Sequence, residues 1–188
     1  MTSKLTPLKD PKVLQYQIPA HGLIPNTSIQ KKPLLIYKSA FPNTNATTAS
    51  GIESHLAKVG VVTPQWRYTM YSTSHEVLVV AKGKAKLCFG HEENEGRAEE
   101  VVERGDVVVV PAGVAHRLLE DLGQSEEDED GDGEGGFEMV GAYPAGCTWD
   151  MCYGREGEGE EEKVEGIRAL GWFERDPVYG NEGPVLDV

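Results

Sequence analysis

Glu76 and His116 are the residues of this chain whose types and placement could do chemistry, with His75 beside the first of them. His75 and Glu76 open a valine-rich run, Val77-Leu78-Val79-Val80. His116 follows a second such run, Val107 to Val110, after Pro111-Ala112-Gly113-Val114-Ala115. A carboxylate and an imidazole that meet can hold a divalent cation or pass a proton. Glu76 inside a strand of valines is costly to bury without a partner. A cation, His116 or a basic substrate could each supply one.

The elements that would bring these groups together are short strands. Apolar runs of this length, cut by Gly and Pro, read as strands joined by tight turns. The spacing predicts strands over 13–18, 33–37, 84–89, 99–103, 107–110, 114–119 and 137–143. Alternation sends Glu76, Leu78 and Val80 to one side of their strand and His75, Val77 and Val79 to the other. His75 and Glu76 therefore share a site only if a bulge re-aims one of them. One helix is predicted, Thr47 to Val59, with Thr47, Thr48 or Ser50 as its cap and Gly60 as its stop. Ile52, His55, Leu56 and Val59 fall on one face, so the helix lies against a sheet and His55 belongs to packing. His21 sits in a turn and His91 in the hairpin loop from Gly90 to Gly96; both read as solvated. Trp66, Trp149 and Trp172 read as core or rim packing. Many short strands and one good helix point to an antiparallel all-β barrel or sandwich.

At 188 residues the chain suits one domain. No apolar stretch approaches the roughly 18 to 20 residues of a membrane span, and the N-terminus lacks the apolar core of a signal peptide, so the expected location is cytoplasmic. The net charge is −13, of which residues 126–134 carry −7 and residues 155–165 carry −4. Acidity gathered in blocks reads as solvated loops, here disordered insertions at about 123–136 and 154–166, the second partly helical at most. No basic stripe is present to meet phosphates, which argues against nucleic acid as a partner. Cys88, Cys147 and Cys152 have no metal or redox spacing and read as reduced packing residues.

Gly105-Asp106, four residues, Pro111, then Gly113 and His116 resemble the second sequence motif of the cupins. Glu76 followed by Gly83 resembles the second half of the first motif. The likeness extends through Ile24-Pro25-Asn26, Pro33 to Tyr37, Trp66-Arg67, Ser72 to Leu78, Gly141-Ala142-Tyr143-Pro144 and Asp176-Pro177-Val178-Tyr179-Gly180. These stretches resemble the YjlB-like single-domain cupins, across most of the chain outside the acidic tracts. The resemblance implies a double-stranded β-helix, or jelly roll, with its barrel core at about 66–175 and one or two short helices. It also implies a homodimer paired through an N-terminal strand and a small-molecule ligand. In that family two histidines, a glutamate and a third histidine commonly hold one divalent metal in the barrel.

This chain departs from that set. Thr69-Met70-Tyr71 stand where the subfamily usually has His-Tyr-His, so the first two metal histidines are missing. The resemblance leaves Glu76 and His116 in ligand positions, and a re-aimed His75 would complete a set of three for iron, manganese, nickel or zinc. Tyr71 becomes a weak oxygen ligand or proton donor, and with Glu76 and His116 forms the candidate catalytic set. Two functions stay open. One is a metal-dependent oxygenase or isomerase acting on a small organic molecule. The other is a metal-free cupin that binds a small molecule or does His116 and Glu76 acid-base chemistry.

Overall fold

The computed structural model describes residues 5–9, 12–64, 71–123, 136–147, 150–157 and 159–188. Among these residues nine strands form two antiparallel sheets. The larger contains β1 (Lys12–Tyr16), β2 (Leu34–Lys38), β3 (Val62–Pro64), β4 (Glu76–Lys82), β7 (Val107–Val110) and β9 (Glu138–Pro144), in the order β1-β2-β7-β4-β9-β3. The smaller has β5 (Lys84–Phe89) between β6 (Ala98–Glu103) and β8 (His116–Asp121). This is the antiparallel two-sheet architecture that the turn-rich apolar runs lead one to expect, in the jelly-roll form that the resemblance implies.

The large sheet is buried on both faces, which is why β2, β4 and β7 read as nearly unbroken apolar runs. Leu34, Ile36, Leu78, Val80, Val108 and Val110 face inward against Ala85, Leu87, Phe89, Ala98 and Val102 of the small sheet. Leu35, Tyr37, Val77, Val79, Val107 and Val109 face the other way. They pack under Ile52 and Leu56 of α1 (Ala49–Val59) and under Phe173, Val178 and Val185 of the C-terminal segment. Helix α1 is capped by the Thr48 hydroxyl, which accepts from the Gly51 N–H, and stops at Gly60 in the left-handed conformation. His55 packs as a ring edge on Phe41 and binds the Val178 carbonyl at 2.8 Å.

The motif from Gly105 to Gly113 has a physical explanation at each end. Gly105 has φ +94° and passes the Phe41 carbonyl so closely that a Cβ would collide with it. Asp106, fully buried, accepts from the Ser39 and Glu103 N–H groups and pairs with Lys38, closing the turn into β7. Gly113, at φ +90°, makes the bend that carries the chain from β7 to His116.

The acidic segment at 154–166 differs from expectation. Within it begins α2 (Glu160–Ala169), a ten-residue helix rather than a disordered insertion. Glu160, Glu161 and Glu162 occupy its first turn, where carboxylates favour the positive end of the helix dipole, and Ile167 anchors it by burial. The strongest part of the other acidic tract, 124–135, lies outside the described residues, as do Trp66, Thr69, Met70 and Trp149. All three cysteines are free thiols, with Cys88 and Cys152 buried. Among the described residues no helix is long and apolar enough to cross a membrane.

Candidate functional site

Glu76 starts β4 with the parity of Leu78 and Val80, so its side chain enters the space between the sheets. His116 starts β8 opposite Phe89, whose ring belongs to the same interior. Side chains opposite one another on neighbouring antiparallel strands share a face, so His116 looks across the sandwich at Glu76. His116 Nε2 lies 3.2 Å from Glu76 Oε2, with side-chain exposures of 9% and 2%. The Tyr143 hydroxyl donates to Glu76 Oε1 at 2.9 Å.

The orientation of the imidazole fixes its charge preference. Nδ1 is 3.2 Å from the Val114 carbonyl and Nε2 faces the Glu76 carboxylate, so both ring nitrogens face acceptors and are best served when both carry protons. Burial alone would lower the pKa of His116, but the Glu76 carboxylate in contact with its ring outweighs it, and the Val114 carbonyl adds to that. The net shift is upward. The contact with Oε2 is close but poorly aligned, since Oε2 makes no hydrogen bond of good geometry.

His75 does not join this pair. The β4–β7 ladder runs in register from Glu76 opposite Val110 to Val79 opposite Val107, with no bulge to re-aim a side chain. His75 therefore points into the second core, 1% exposed, with its ring edge-on to Trp172 and tilted against Phe173. Its Nδ1 accepts the Ala112 N–H at 2.9 Å. Burial lowers its pKa to about 4, with the Gly171 carbonyl working weakly against that. The inclusion of His75 among the metal ligands is thus corrected: an outward-facing packing residue cannot reach the interior.

Tyr71 is placed among Ile24, Ala115 and Cys152, 2% exposed, where its backbone pairs with that of Cys152. The tyrosine that holds Glu76 is Tyr143, which sequence reasoning missed. Val77 pairs with Ala142 in the β4–β9 ladder, and one further step sets Tyr143 opposite Glu76. The alternation of β9 signals that Tyr143 and Gly141 share a face, but only the register says what that face meets.

The metal that the resemblance implies asks for more than this pair supplies. A catalytic centre of this kind generally has three protein ligands, and the buried Oε2 of Glu76 with His116 Nε2 makes two. Residues 65–70, which precede Tyr71, include no histidine, cysteine or carboxylate. Among the described residues the interior donor set does not fit a three-ligand centre.

Space around His116 is small. One cavity of about 30 Å³ is lined by Cys88, His91, Glu92, Ala115, His116 and Arg117. A second, about 10 Å³, is lined by Leu78, Leu87, Leu118 and Met139 beside His116 and Arg117. The first has room for about one or two waters. Arg117 and Glu92 form an exposed ion pair at 2.8 Å on its wall.

Comparison with known proteins agrees with this architecture. Residues 36–119 match the profile of the Cupin family. Over 177 residues the chain is 33% identical to a Bacillus subtilis (strain 168) protein named Uncharacterized protein YjlB, covering 92% of this chain and 94% of that one. With the motif from Gly105 to His116 wrapped into a two-sheet jelly roll, this chain belongs to the cupin family.

Proposed function

We propose that the barrel carries a metal-independent acid-base site acting on a small organic molecule, by an isomerisation or a dehydration. The observation that supports it is the contact of His116 Nε2 with Glu76 Oε2 at 3.2 Å, with the other carboxylate oxygen held by Tyr143. His116 is the acid: the carboxylate keeps a proton on a ring that burial would otherwise strip. Glu76 orients the ring and balances its charge, and Tyr143 orients Glu76. An organic substrate is larger than the cavity beside His116, so entry requires the exposed Arg117–Glu92 pair to swing aside. Exposed pairs of this kind are held weakly.

The test is a panel of small sugar derivatives and hydroxy acids incubated with the protein in D₂O containing EDTA. Proton NMR then follows deuterium incorporation and product. Turnover that survives chelation and falls by about 100-fold or more in both H116N and E76Q is the expected result, the usual size of a general acid-base contribution. Turnover that disappears with EDTA and returns with iron, manganese, nickel or zinc overturns this reading in favour of the metal-dependent one. Before any substrate is known, the His116 imidazole should titrate above the ordinary histidine value in the wild type. In E76Q it should titrate lower, because the carboxylate charge that opposes burial is gone and the Val114 carbonyl is the weaker counterweight that stays.

The homodimer rests on β1, which among the described residues is an edge of the large sheet with a row of backbone donors and acceptors facing outward. Pairing of two copies along this edge extends the sheet. Sedimentation should show a dimer that Gln15→Pro weakens, and a monomer in the wild type would dismiss it.

A further inference from the structure

Two turns at the same end of the molecule as His116 bring together residues that read as separate and solvated in the sequence. His21 closes a tight turn through reciprocal backbone bonds with Ile24, both 2.9 Å. His91 follows Gly90 with φ +81°, a conformation that residues other than glycine seldom take. Asn26 and Asn94, both nearly fully buried, fasten these turns to each other. Asn26 Nδ2 donates to the Pro19 carbonyl at 2.9 Å and the Gly90 carbonyl at 3.2 Å. Asn94 Nδ2 donates to the same two carbonyls at 2.9 and 3.0 Å. Four bonds from two side chains thus fix the spacing between the residue two before His21 and the residue just before His91.

The consequence is a stacked pair of imidazoles, with ring centroids 4.7 Å apart and planes 18° from parallel. Glu93 adds a carboxylate, and the ligand atoms of His21, His91 and Glu93 all lie within 4.8 Å of one another. Two imidazoles and a carboxylate are a donor set suited to borderline divalent metals. Bonds of about 2.0–2.1 Å around a four-coordinate ion imply donor separations of about 3.3 Å. The exposed Glu93 side chain and rotation of the two rings can supply that contraction. On His91, the lone pair of Nδ1 accepts the Glu93 N–H at 3.2 Å. A metal there would exchange a long hydrogen bond for a coordinate bond.

We propose that His21, His91 and Glu93 bind one divalent transition-metal ion of the zinc, nickel or copper class at the mouth of the barrel, separate from the Glu76–His116 pair. The location ties it to that pair without sharing ligands. His91 lines the same cavity as His116, and Asn26 Oδ1 accepts the N–H of Ala115 at 3.2 Å, next to His116 in the chain. One of the two residues that preorganise the metal ligands, Asn26, therefore also anchors the strand start that carries the acid.

The full-length chain, freed of metal with EDTA and then dialysed, is titrated with zinc chloride by calorimetry. One strongly bound ion per chain is expected, with affinity at least tenfold lower in H21N and in H91N and unchanged within about twofold in H116N. Asparagine tolerates the positive φ at position 91, and circular dichroism checks that each variant is folded. The wild type gives a second reading that needs no variant: with one equivalent of copper(II), electron paramagnetic resonance should show hyperfine splitting from two nitrogen ligands. No ion bound at millimolar zinc, binding indifferent to both substitutions, or a copper spectrum without nitrogen splitting each overturns the proposal.

Discussion

Replacing Asp176 with alanine is expected to destabilise the fold by about 4 kcal/mol, the largest single-site effect this structure implies. Asp176 is fully buried beneath the large sheet and accepts from four donors. The Val178 and Tyr179 N–H groups reach Oδ1 at 2.8 and 2.9 Å. The Tyr37 hydroxyl and the Val185 N–H reach Oδ2 at 2.8 and 3.3 Å. One side chain thus ties the C-terminal segment to itself and to β2. Burial first, then the charge of Asp176 and its hydrogen bond, push Tyr37 above the usual tyrosine range, so its hydroxyl stays protonated and donates. Alanine would leave all four donors without their acceptor, and a buried donor left unpaired costs roughly 1–3 kcal/mol. The terms do not add fully, because the segment can loosen and admit water. D176N keeps one acceptor and should recover part of the loss. Urea unfolding followed by tryptophan fluorescence reads the difference as a lower midpoint at unchanged slope. A D176A unfolding free energy within about 1 kcal/mol of wild type would show that the segment is held by its apolar contacts alone.

Acid should weaken the protein through His75 by about 3 kcal/mol between neutral pH and pH 4. Its pKa is lowered from 6.5 to about 4 by burial against Trp172 and Phe173. The folded state therefore holds fewer protons than the unfolded chain across that window, and each step down in pH favours unfolding. The stabilisation is fully present above 6.5, is lost as the pH falls towards 4, and changes no further below. His116 has the opposite sign. Its raised pKa gives stability that is complete below 6.5 and lost as the pH rises through the folded value, so it adds no slope in the acid window. H75Q keeps an acceptor for the Ala112 N–H and cannot titrate. Unfolding free energies at pH 7 and pH 4.5 should differ by about 2–3 kcal/mol less in H75Q than in wild type. Equal pH sensitivity in the two would mean that His75 becomes hydrated on acidification without unfolding.

Both effects act on the outer core that supports Glu76 from behind. His75 and Glu76 are adjacent in the chain and look in opposite directions, one towards Trp172 and one towards His116. Loosening the C-terminal segment is therefore expected to disturb the acid-base pair without touching it. D176N should lower any turnover dependent on His116 at temperatures well below its unfolding midpoint.

Much of the architecture was legible from local pattern. The valine runs marked β4 and β7, and Thr48 and Gly60 framed α1, because alternation and capping depend on neighbours in the chain. Alternation also stated the choice at His75 and Glu76 correctly: without a bulge they must part. Whether a bulge existed was a matter of hydrogen-bond register with β7, which no residue near Glu76 encodes. The acidic composition around Glu160 hid α2, since a helix stabilised by its first-turn carboxylates and one buried isoleucine has little apolar periodicity to show.

By itself the sequence determined the fold family, most of the strands but not β3, and the phase that Glu76 shares with Leu78 and Val80; the resemblance put Glu76 and His116 together in ligand positions. It determined too that the usual first histidines are absent, since Thr69 and Tyr71 occupy those places. Only the tertiary structure decided that Tyr143 rather than Tyr71 holds Glu76, that His75 serves the outer core, and that His21 and His91 stack. Each of those outcomes depends on pairing between strands or turns dozens of residues apart. The period of a strand says which side chains share a face, but the opposing face is chosen by register, packing and buried side-chain bonds such as those of Asn26 and Asn94.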